Sequence, residues 1–213
     1  MTLRLHCFGE SGNAYKAALT LRLAGLDWEA VAVDFFGGAT RTPAFRALNP
    51  MGEVPVLETP AGPITQSAVI QDWAAQETGR FGWADDDERR AVLRWQLFDN
   101  HKVSGVAGPL RFNLNFLPAE KRSEAANAFL AMRLASALKV LDAHLRGNDW
   151  LALGRPTIAD LGACGYLYYP EPYGFDRAAY PGVDRWLDRI AALPGWAHPY
   201  DLMPRGLLSS SAN

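Results

Sequence analysis

The pattern of the sequence changes near residues 79–86, and this change constrains the fold more than any other feature. Before it, short apolar runs typical of strands alternate with helical spacing; after it, helical patterns alone continue from Asp87 to about Trp196. A chain of 213 residues is long enough for two small domains. We therefore predict an α/β domain over 1–79, a linker over 80–86, an all-helical domain over 87–202 and a flexible tail over 203–213.

The residues before the change predict a compact α/β unit. Its elements follow in the order β-α-β-(loop or helix)-β-β-α. Apolar residues recur at three- and four-residue steps in the two predicted helices, which end at Gly25 and Gly79. The predicted strands are 3–8, 28–36, 53–58 and 62–65, and the predicted helices are 13–24 and 66–79.

The residues after the change predict helices over 87–104, 119–146, 157–169 and 181–192. The residues Gly105, Gly108 and Pro109 predict a break after the first of these helices, followed by an irregular stretch over 110–118. The sequence "PTIADL" fits a capping box in which Thr157 and Asp160 satisfy backbone amides at the start of a helix. We interpret this box as structural and without chemistry.

Composition excludes several classes of protein. The net charge is -2 and 21% of the residues are charged, which gives no basic patch for nucleic acid. No apolar run approaches the roughly 20 residues of a membrane span, and the first residues lack the apolar core of a signal peptide, so we expect a cytoplasmic protein with no membrane partner. The two cysteines, Cys7 and Cys164, have no spacing typical of a disulfide framework or a metal site, so we expect no metal.

Three motifs carry candidate functional residues, and each has a simpler structural interpretation. "GESGNAYK", 9–16, follows the first strand and is either a helix cap or the carrier of a reactive group. In "NPMGEVPVLE", 49–58, a cis bond at Val54-Pro55 would turn the Val54 backbone outward to pair with an extended ligand, but a trans bond at an edge strand is commoner. In "TQSAVI", Gln66 and Ser67 could receive a carboxylate at a helix start, or Ser67 or Thr65 could simply cap that helix.

Four motifs in the same order and spacing resemble the glutathione S-transferase family: "SGNAYK", "NPMGEVPVLE", "QSAVI" and "RPTIADL". The resemblance covers roughly residues 3–200. It implies a thioredoxin-like N-terminal domain that binds glutathione as co-substrate. It also implies an all-helical C-terminal domain that supplies most of the pocket for a small electrophile, and a homodimer.

The same resemblance assigns roles to individual residues. It implies that Pro55 is cis and that the Val54 backbone pairs with the cysteinyl unit of glutathione, while Gln66 and Ser67 receive the γ-glutamyl end. Ser11 lies where serine-type classes donate a hydrogen bond to the glutathione sulfur, and Asn13 is a second candidate for that bond. A tyrosine mechanism is disfavoured, because the position nearer the strand offers only Cys7 and Phe8.

Two residues depart from the family pattern near the expected glycine carboxylate of glutathione. Glu53 lies where related bacterial sequences often carry lysine, and Gly52 lies where delta-type enzymes have histidine. A negative charge at Glu53 would weaken glutathione binding unless its side chain points away. The cations that could compensate are Lys16, Arg41 and Arg46.

The second substrate is expected between the "GESGN" loop and the helical half. The candidate lining residues are aromatic or weakly polar, which suits an apolar electrophile: His101, Phe112, Phe116, Tyr166 and Tyr169. The alternative is that most of them are core, and we expect no more than two of the five to line a pocket.

The leading hypothesis is therefore an enzyme in which a bound glutathione thiolate attacks a small electrophile. The alternative is a binding or scaffold protein that keeps the fold without catalysis. A glutathione-dependent thiol reductase would need a cysteine in the "GESGN" loop, where the sequence has Ser11.

Overall fold

The computed structural model describes residues 2–206, which pack into two units. One unit runs to Phe81 and resumes at Pro194, and the other comprises Gly82–Leu193. The first contains a four-stranded sheet with helices, and the second is helical. The predicted fold class, a thioredoxin-like domain followed by an all-helical domain, is confirmed. Within residues 2–206, no helix combines the length and the apolar character needed to cross a bilayer.

The sheet of the first unit is mixed and has the strand order β2-β1-β3-β4. Strand β1 runs parallel to β2 and antiparallel to β3, and β3 runs antiparallel to β4. Alternate residues of β1 are buried because they face the core. The strands are β1 (Leu3–Cys7), β2 (Trp28–Ala32), β3 (Val56–Thr59) and β4 (Gly62–Thr65).

Strand β2 ends earlier than the predicted 28–36. The Oδ1 atom of Asp34 accepts a hydrogen bond from the Gly37 N–H at 2.8 Å and turns the chain there. The sequence 28–36 is apolar enough for a longer strand, but this side-chain turn competes with the ladder.

Three helices precede the change of pattern: α1 (Gly12–Ala24), α2 (Pro43–Leu48) and α3 (Ser67–Thr78). Helices α1 and α3 pack against each other, and nearly all of α1 is buried. Each of the two ends at a glycine in the left-handed region, Gly25 at φ 79° and Gly79 at φ 66°, as predicted. The segment that the sequence predicted as either loop or helix contains helix α2.

The helical unit contains α4 (Asp86–Phe98), α5 (Ser104–Asn115), α6 (Glu124–Leu145), α7 (Ile158–Ala163) and α8 (Pro181–Ala191). A π-helical turn over Asp99–Val103 joins α4 to α5. The predicted break at 105–109 is wrong, because α5 continues through Pro109. Burial of Val106, Ala107 and Leu110 on one face outweighs the backbone bond that the proline removes.

The predicted helix over 157–169 is too long. Helix α7 ends at Ala163, and turns follow to residue 168. Hydrogen bonds between residues three apart replace the bonds between residues four apart that an α-helix makes. They run from the Gly165 N–H to the Gly162 C=O and from the Leu167 N–H to the Cys164 C=O. Core packing, and not helical periodicity, therefore sets the positions of the buried aromatic residues beyond Ala163.

The predicted capping box at the start of α7 is confirmed. Asp160 accepts hydrogen bonds from the N–H of Thr157 and of Leu151 and from the indole Nε1 of Trp186, each at 2.9 Å. Its side chain is fully buried, and burial raises the pKa of the carboxyl above its ordinary range while these donors oppose the rise. Asp160 thus joins α7, α8 and the chain before them into one core.

The last described residues belong to the first unit and contain the short helix α9 (Pro199–Leu202). The predicted helical domain reached residue 202, whereas the structure groups Pro194 onward with the sheet. The predicted tail over 203–213 differs as well, since Met203 is buried and Gly206 donates to Glu10 at 2.8 Å. The remainder of that prediction, 207–213, lies outside the described residues.

Candidate functional site

Strand register brings three of the sequence motifs to one end of the sheet. His6 of β1 pairs with Val56 of β3, and Val56 pairs with Thr65 of β4. Because β3 is antiparallel to both neighbours, the chain leaves β1 for the "GESGN" turn at the same end where it enters β3 through Val54-Pro55. The chain also leaves β4 for the start of α3 at that end. The three motifs therefore share one edge.

Ser11 is the N-cap of α1, and its Oγ accepts a hydrogen bond from the Ala14 N–H at 3.2 Å. The interpretation of this stretch as a helix cap is confirmed. A hydroxyl that accepts in this way still has its proton to donate. Within residues 2–206 that proton has no acceptor, so Ser11 can cap α1 and donate to a ligand at once.

Asn13 lies two residues further on, in the first turn of α1. Its Oδ1 is buried and has no hydrogen-bond partner in the part of the chain that the structure describes. The oxygen and nitrogen of an amide are assigned from their hydrogen bonds, so either atom can occupy this place. Asn13 is therefore a second unsatisfied polar group beside the same turn.

The Val54-Pro55 peptide bond is cis, as the family resemblance implies. Neither the N–H nor the C=O of Val54 makes a hydrogen bond to any other described residue. The loop before it is held by Asn49, which is 1% exposed: its Nδ2 donates to the Glu53 C=O at 2.8 Å and its Oδ1 accepts from the Met51 N–H at 3.1 Å. The backbone of Val54 is thus free to pair with an extended ligand.

Helix α3 begins without a side-chain cap. Its N-cap residue is Gln66, which has φ 69° and ψ 122°, and no side chain accepts from its first amides. The capping alternative for Ser67 and Thr65 is therefore wrong. Ser67 is buried, and neither its N–H nor its Oγ has a partner among the described residues. A helix of 12 residues with free amides and a hydroxyl at its start can receive a carboxylate.

The Glu53 side chain lies beside Gln66. Its Oε2 accepts a hydrogen bond from the Gln66 Nε2 at 3.3 Å, and Glu53 is exposed. The carboxylate therefore reaches the motif that is expected to receive one end of glutathione.

The backbone at Gly52 leaves no room for a side chain. Its φ is +67°, and a Cβ built there would lie 2.9 Å from the Thr40 C=O and 3.4 Å from the Arg46 Nη2. Of the three cations considered for compensation, Arg46 therefore lies beside this loop, while Arg41 is exposed and Lys16 is 1% exposed within α1.

Comparison with known proteins identifies the family. Residues 11–77 match the family model described as the N-terminal domain of glutathione S-transferase, and residues 109–194 match the model of its C-terminal domain. Glutathione S-transferase 3 of Zea mays is 31% identical over 220 residues, which cover 95% of this chain and 95% of that protein. The chain belongs to the glutathione S-transferase family.

Other relatives of this glutathione S-transferase family member include both transferases and an elongation factor. A crystal structure of a glutathione S-transferase from Xanthobacter autotrophicus is 35% identical, with a TM-score of 0.86, and covers 94% of this chain and 98% of that one. Elongation factor 1-gamma 1 of Oryza sativa subsp. japonica is 30% identical over 207 residues, 92% of this chain. The chain spans about half the length of that relative, 48%.

The two cysteines of this glutathione S-transferase family member are buried and unpaired in disulfides. Burial raises the pKa of the Cys7 thiol to about 12, so Cys7 is a neutral thiol at physiological pH. Cys7 also lies before the "GESGN" loop rather than in it. Neither feature suits a thiol reductase.

The five predicted electrophile residues do not form one group. Phe112 and Phe116 are half-buried and their ring centroids lie 6.2 Å apart, whereas Tyr166 and Tyr169 are buried, 7% and 6% exposed, as core residues are. His101 is exposed on the π-helical turn, roughly 16 Å along the helix from Phe112 at 1.5 Å per residue. The structure thus brings four of the five near the second half of α5.

Sequence reasoning missed Arg111, around which this aromatic group is built. The guanidinium of Arg111 lies 3.9 Å from the ring centroid of Tyr169 and 5.0 Å from that of Phe116. It also pairs with Glu171 at 2.6 Å, and Arg111 is 1% exposed. The sequence predicted an irregular stretch over 110–118, and such a stretch assigns Arg111 to no face. In the structure Arg111 belongs to α5 and is buried.

Proposed function

We propose that this chain binds glutathione and activates its thiol as a thiolate for attack on a small apolar electrophile. One observation carries the proposal: the sheet register brings the turn of Ser11, the unpaired backbone of Val54 and the free start of α3 at Ser67 to one edge. Each of the three offers hydrogen-bonding groups that no described residue uses.

The span of this edge suits a tripeptide. Neighbouring strands lie about 4.8 Å apart, so β1 and β4, with β3 between them, are separated by roughly 10 Å. An extended chain of three residues also spans roughly 10 Å. In this proposal Ser67 and Gln66 receive the γ-glutamyl end, Val54 pairs with the cysteinyl backbone, and the sulfur lies over the Ser11 turn.

The chemistry requires a hydrogen-bond donor at the sulfur. A free thiol with a pKa near 8.5 is only a few per cent thiolate at neutral pH. Lowering that pKa by about two units takes roughly 2.7 kcal/mol of preference for the anion. A hydrogen bond to a charged acceptor supplies about 1.5–3 kcal/mol, and the start of a helix adds about 0.3–1 kcal/mol. The Ser11 hydroxyl and the opening amides of α1 are together sufficient.

The electrophile is proposed to contact aromatic residues of the helical unit. The half-buried Phe112 and Phe116 are the best candidates among the five predicted residues, because Tyr166 and Tyr169 are core and His101 lies far along the helix. Two apolar rings favour an apolar electrophile. The thiolate sulfur forms the new bond to carbon, and the leaving group departs or, in an addition, the electrophile takes up a proton.

Glutathione should raise the melting temperature, and Ser67→Ala should abolish the rise. At a concentration of about 100 times Kd, binding to the folded state adds about 2.7 kcal/mol, which corresponds to roughly 5–10 °C for a chain of this size. Differential scanning fluorimetry measures the shift, with Ser136→Ala on the exposed side of α6 as the matched control. Absence of any shift at millimolar glutathione would remove both glutathione-based hypotheses.

Replacing Glu53 with glutamine should tighten glutathione binding by about two- to fivefold. The exposed Glu53 carboxylate lies 3.3 Å from the Gln66 amide, and like charges about 4 Å apart in water repel by about 1 kcal/mol. Isothermal titration at low salt measures Kd, with Glu77→Gln near the end of α3 as a control. Unchanged affinity would show that Glu53 does not face a bound carboxylate.

A non-catalytic binding or scaffold role is the second candidate. The Glu53 carboxylate beside Gln66 favours it, and so does the similarity to a protein named as an elongation factor. Turnover of a chloronitroaromatic or an isothiocyanate separates the two: a scaffold binds glutathione without turnover, whereas the enzyme loses turnover when Ser11 is replaced.

A homodimer in the cytoplasm is part of the proposal. Large apolar side chains are exposed on both units, and no described residue covers them. Such exposure favours a surface that binds a partner. Analytical ultracentrifugation tests this, and a monomer at micromolar concentration would contradict it. The exposed residues are Met51 and Val69 in the first unit, and Leu93, Leu97, Phe129, Met132 and Val140 in the helical unit.

A further inference from the structure

The chain over residues 195–206, called here the strap, runs along α1. It passes from the end of that helix to the "GESGN" turn at its start, within the first unit. Its hydrogen bonds join side chains and backbone of both segments. They are Arg22 Nε to the Gly195 C=O (2.9 Å), Tyr15 Oη to the Ala197 C=O (3.0 Å) and Gly9 N–H to the Pro204 C=O (2.7 Å).

The strongest link between the strap and the turn is the Glu10 carboxylate. Its side chain is 1% exposed, and a buried carboxylate is tolerated only when it is paired and hydrogen-bonded. The strap supplies both requirements: Arg205 Nε lies 2.9 Å from Oε1, and the Gly206 N–H donates to Oε2 at 2.8 Å. Glu10 is thus held on both oxygens by residues nearly 200 positions away in the chain.

Arg205 is itself held in place. Its guanidinium carbon lies 3.6 Å from the ring centroid of Tyr200, and Tyr200 belongs to α9. The side chain of Arg205 is 30% exposed, so only part of it reaches solvent. The positive charge therefore has a fixed position rather than that of a free surface arginine.

The turn and the strap are also in close contact. A Cβ built on Gly9 would lie 3.3 Å from Arg205 Cδ, from Tyr200 Cδ1 and from the Pro204 C=O. A Cβ on Gly206 would lie 3.2 Å from Glu10 Oε2. The two segments therefore approach each other closely, and we expect a shift of the strap to move the turn.

Ser11 follows Glu10 directly, and its N–H bonds the Phe8 C=O at 3.1 Å across the turn. We propose that the Glu10–Arg205 pair holds the turn so that the Ser11 hydroxyl is positioned to donate a hydrogen bond to the glutathione sulfur. This proposal rests on the proposed function. A hydrogen bond weakens steeply when its angle or length departs from the optimum, so a small displacement of the turn weakens the bond to the thiolate. Arg205 acts through Glu10 and touches no substrate.

Arg205→Gln tests the proposal, with the pKa of the enzyme-bound glutathione thiol as the readout. That pKa follows from thiolate absorbance in a pH titration, and glutathione Kd is measured in parallel. We expect the pKa to rise by about one unit while Kd changes less than about threefold. Arg205→Lys should recover at least half of the rise. Arg189→Gln breaks an ion pair with Asp149 at an arginine that is 35% exposed, close to the 30% of Arg205, and it should leave the thiol pKa unchanged.

A lower melting temperature of Arg205→Gln with the thiol pKa within about 0.2 units of the wild type would overturn the proposal, because the pair would then only stabilise the fold. If the wild type binds no glutathione, the proposed function fails instead. Amide hydrogen exchange of the ligand-free protein then decides: about tenfold faster exchange at Ser11 in Arg205→Gln, but not in Arg189→Gln, supports positioning. Unchanged exchange at Ser11 overturns it.

Discussion

Replacing Ser11 with alanine should lower kcat/KM for a chloronitroaromatic electrophile by about 10- to 150-fold. The lost hydrogen bond to a charged sulfur contributes about 1.5–3 kcal/mol, and each 1.36 kcal/mol is a factor of ten in rate. The pKa of the bound thiol should rise by about one to two units in the same variant. Activity would therefore be lost at neutral pH and return in part as the pH increases.

A further variant, Ser11→Gly, separates the donor role of Ser11 from its role as the cap of α1. Ser11→Gly keeps most of the capping stability, within a few tenths of a kcal/mol, whereas Ser11→Ala loses about 1 kcal/mol. Equal losses of activity in the two variants, despite different melting temperatures, indicate a donor. Activity that follows the melting temperature indicates a cap alone. If Asn13→Ala is the damaging change, the bond to sulfur belongs to Asn13.

Replacing Asp160 with alanine should lower the free energy of unfolding by about 3–5 kcal/mol. The change leaves four donors without an acceptor inside the core: the N–H groups of Leu151 and Thr157, the Thr157 hydroxyl and the indole of Trp186. Each buried unsatisfied donor costs about 1–3 kcal/mol, and the removal of a buried charge offsets part of the sum. Urea unfolding followed by circular dichroism measures the change.

The matched control for this prediction is Asp176→Ala. Asp176 is exposed and caps a single turn through one hydrogen bond to the Ala178 N–H at 3.0 Å, so its loss should cost about 1 kcal/mol or less. A similar cost for both variants would show that Asp160 is only a cap. A cost near the expected value would show that it holds the core of the helical unit together.

The sequence predicted the ends of a helix correctly wherever residues at those ends cap it. Helix α1 begins at the Ser11 cap and ends at Gly25, and α3 ends at Gly79; both were predicted within one residue. The capping box at Thr157 was predicted for the same reason, because its hydrogen bonds join residues three apart.

The sequence misled where long-range packing overrides a local signal. Pro109 predicts a break, but α5 continues because its apolar face is buried, and this also concealed Arg111. The pairing of Glu10 with Arg205 joins residues at opposite ends of the chain, and no periodicity reports such a contact. The candidate site lies between these cases: its motifs are local, while the sheet register that joins them appears only in the structure.

A crystal structure with glutathione bound tests the central claim most directly. The claim predicts the γ-glutamyl carboxylate at the amide and hydroxyl of Ser67, the cysteinyl backbone paired with Val54, and the sulfur within about 3.5 Å of the Ser11 Oγ or the Asn13 amide. Glutathione bound away from this edge of the sheet, or a sulfur that contacts neither Ser11 nor Asn13, would contradict it.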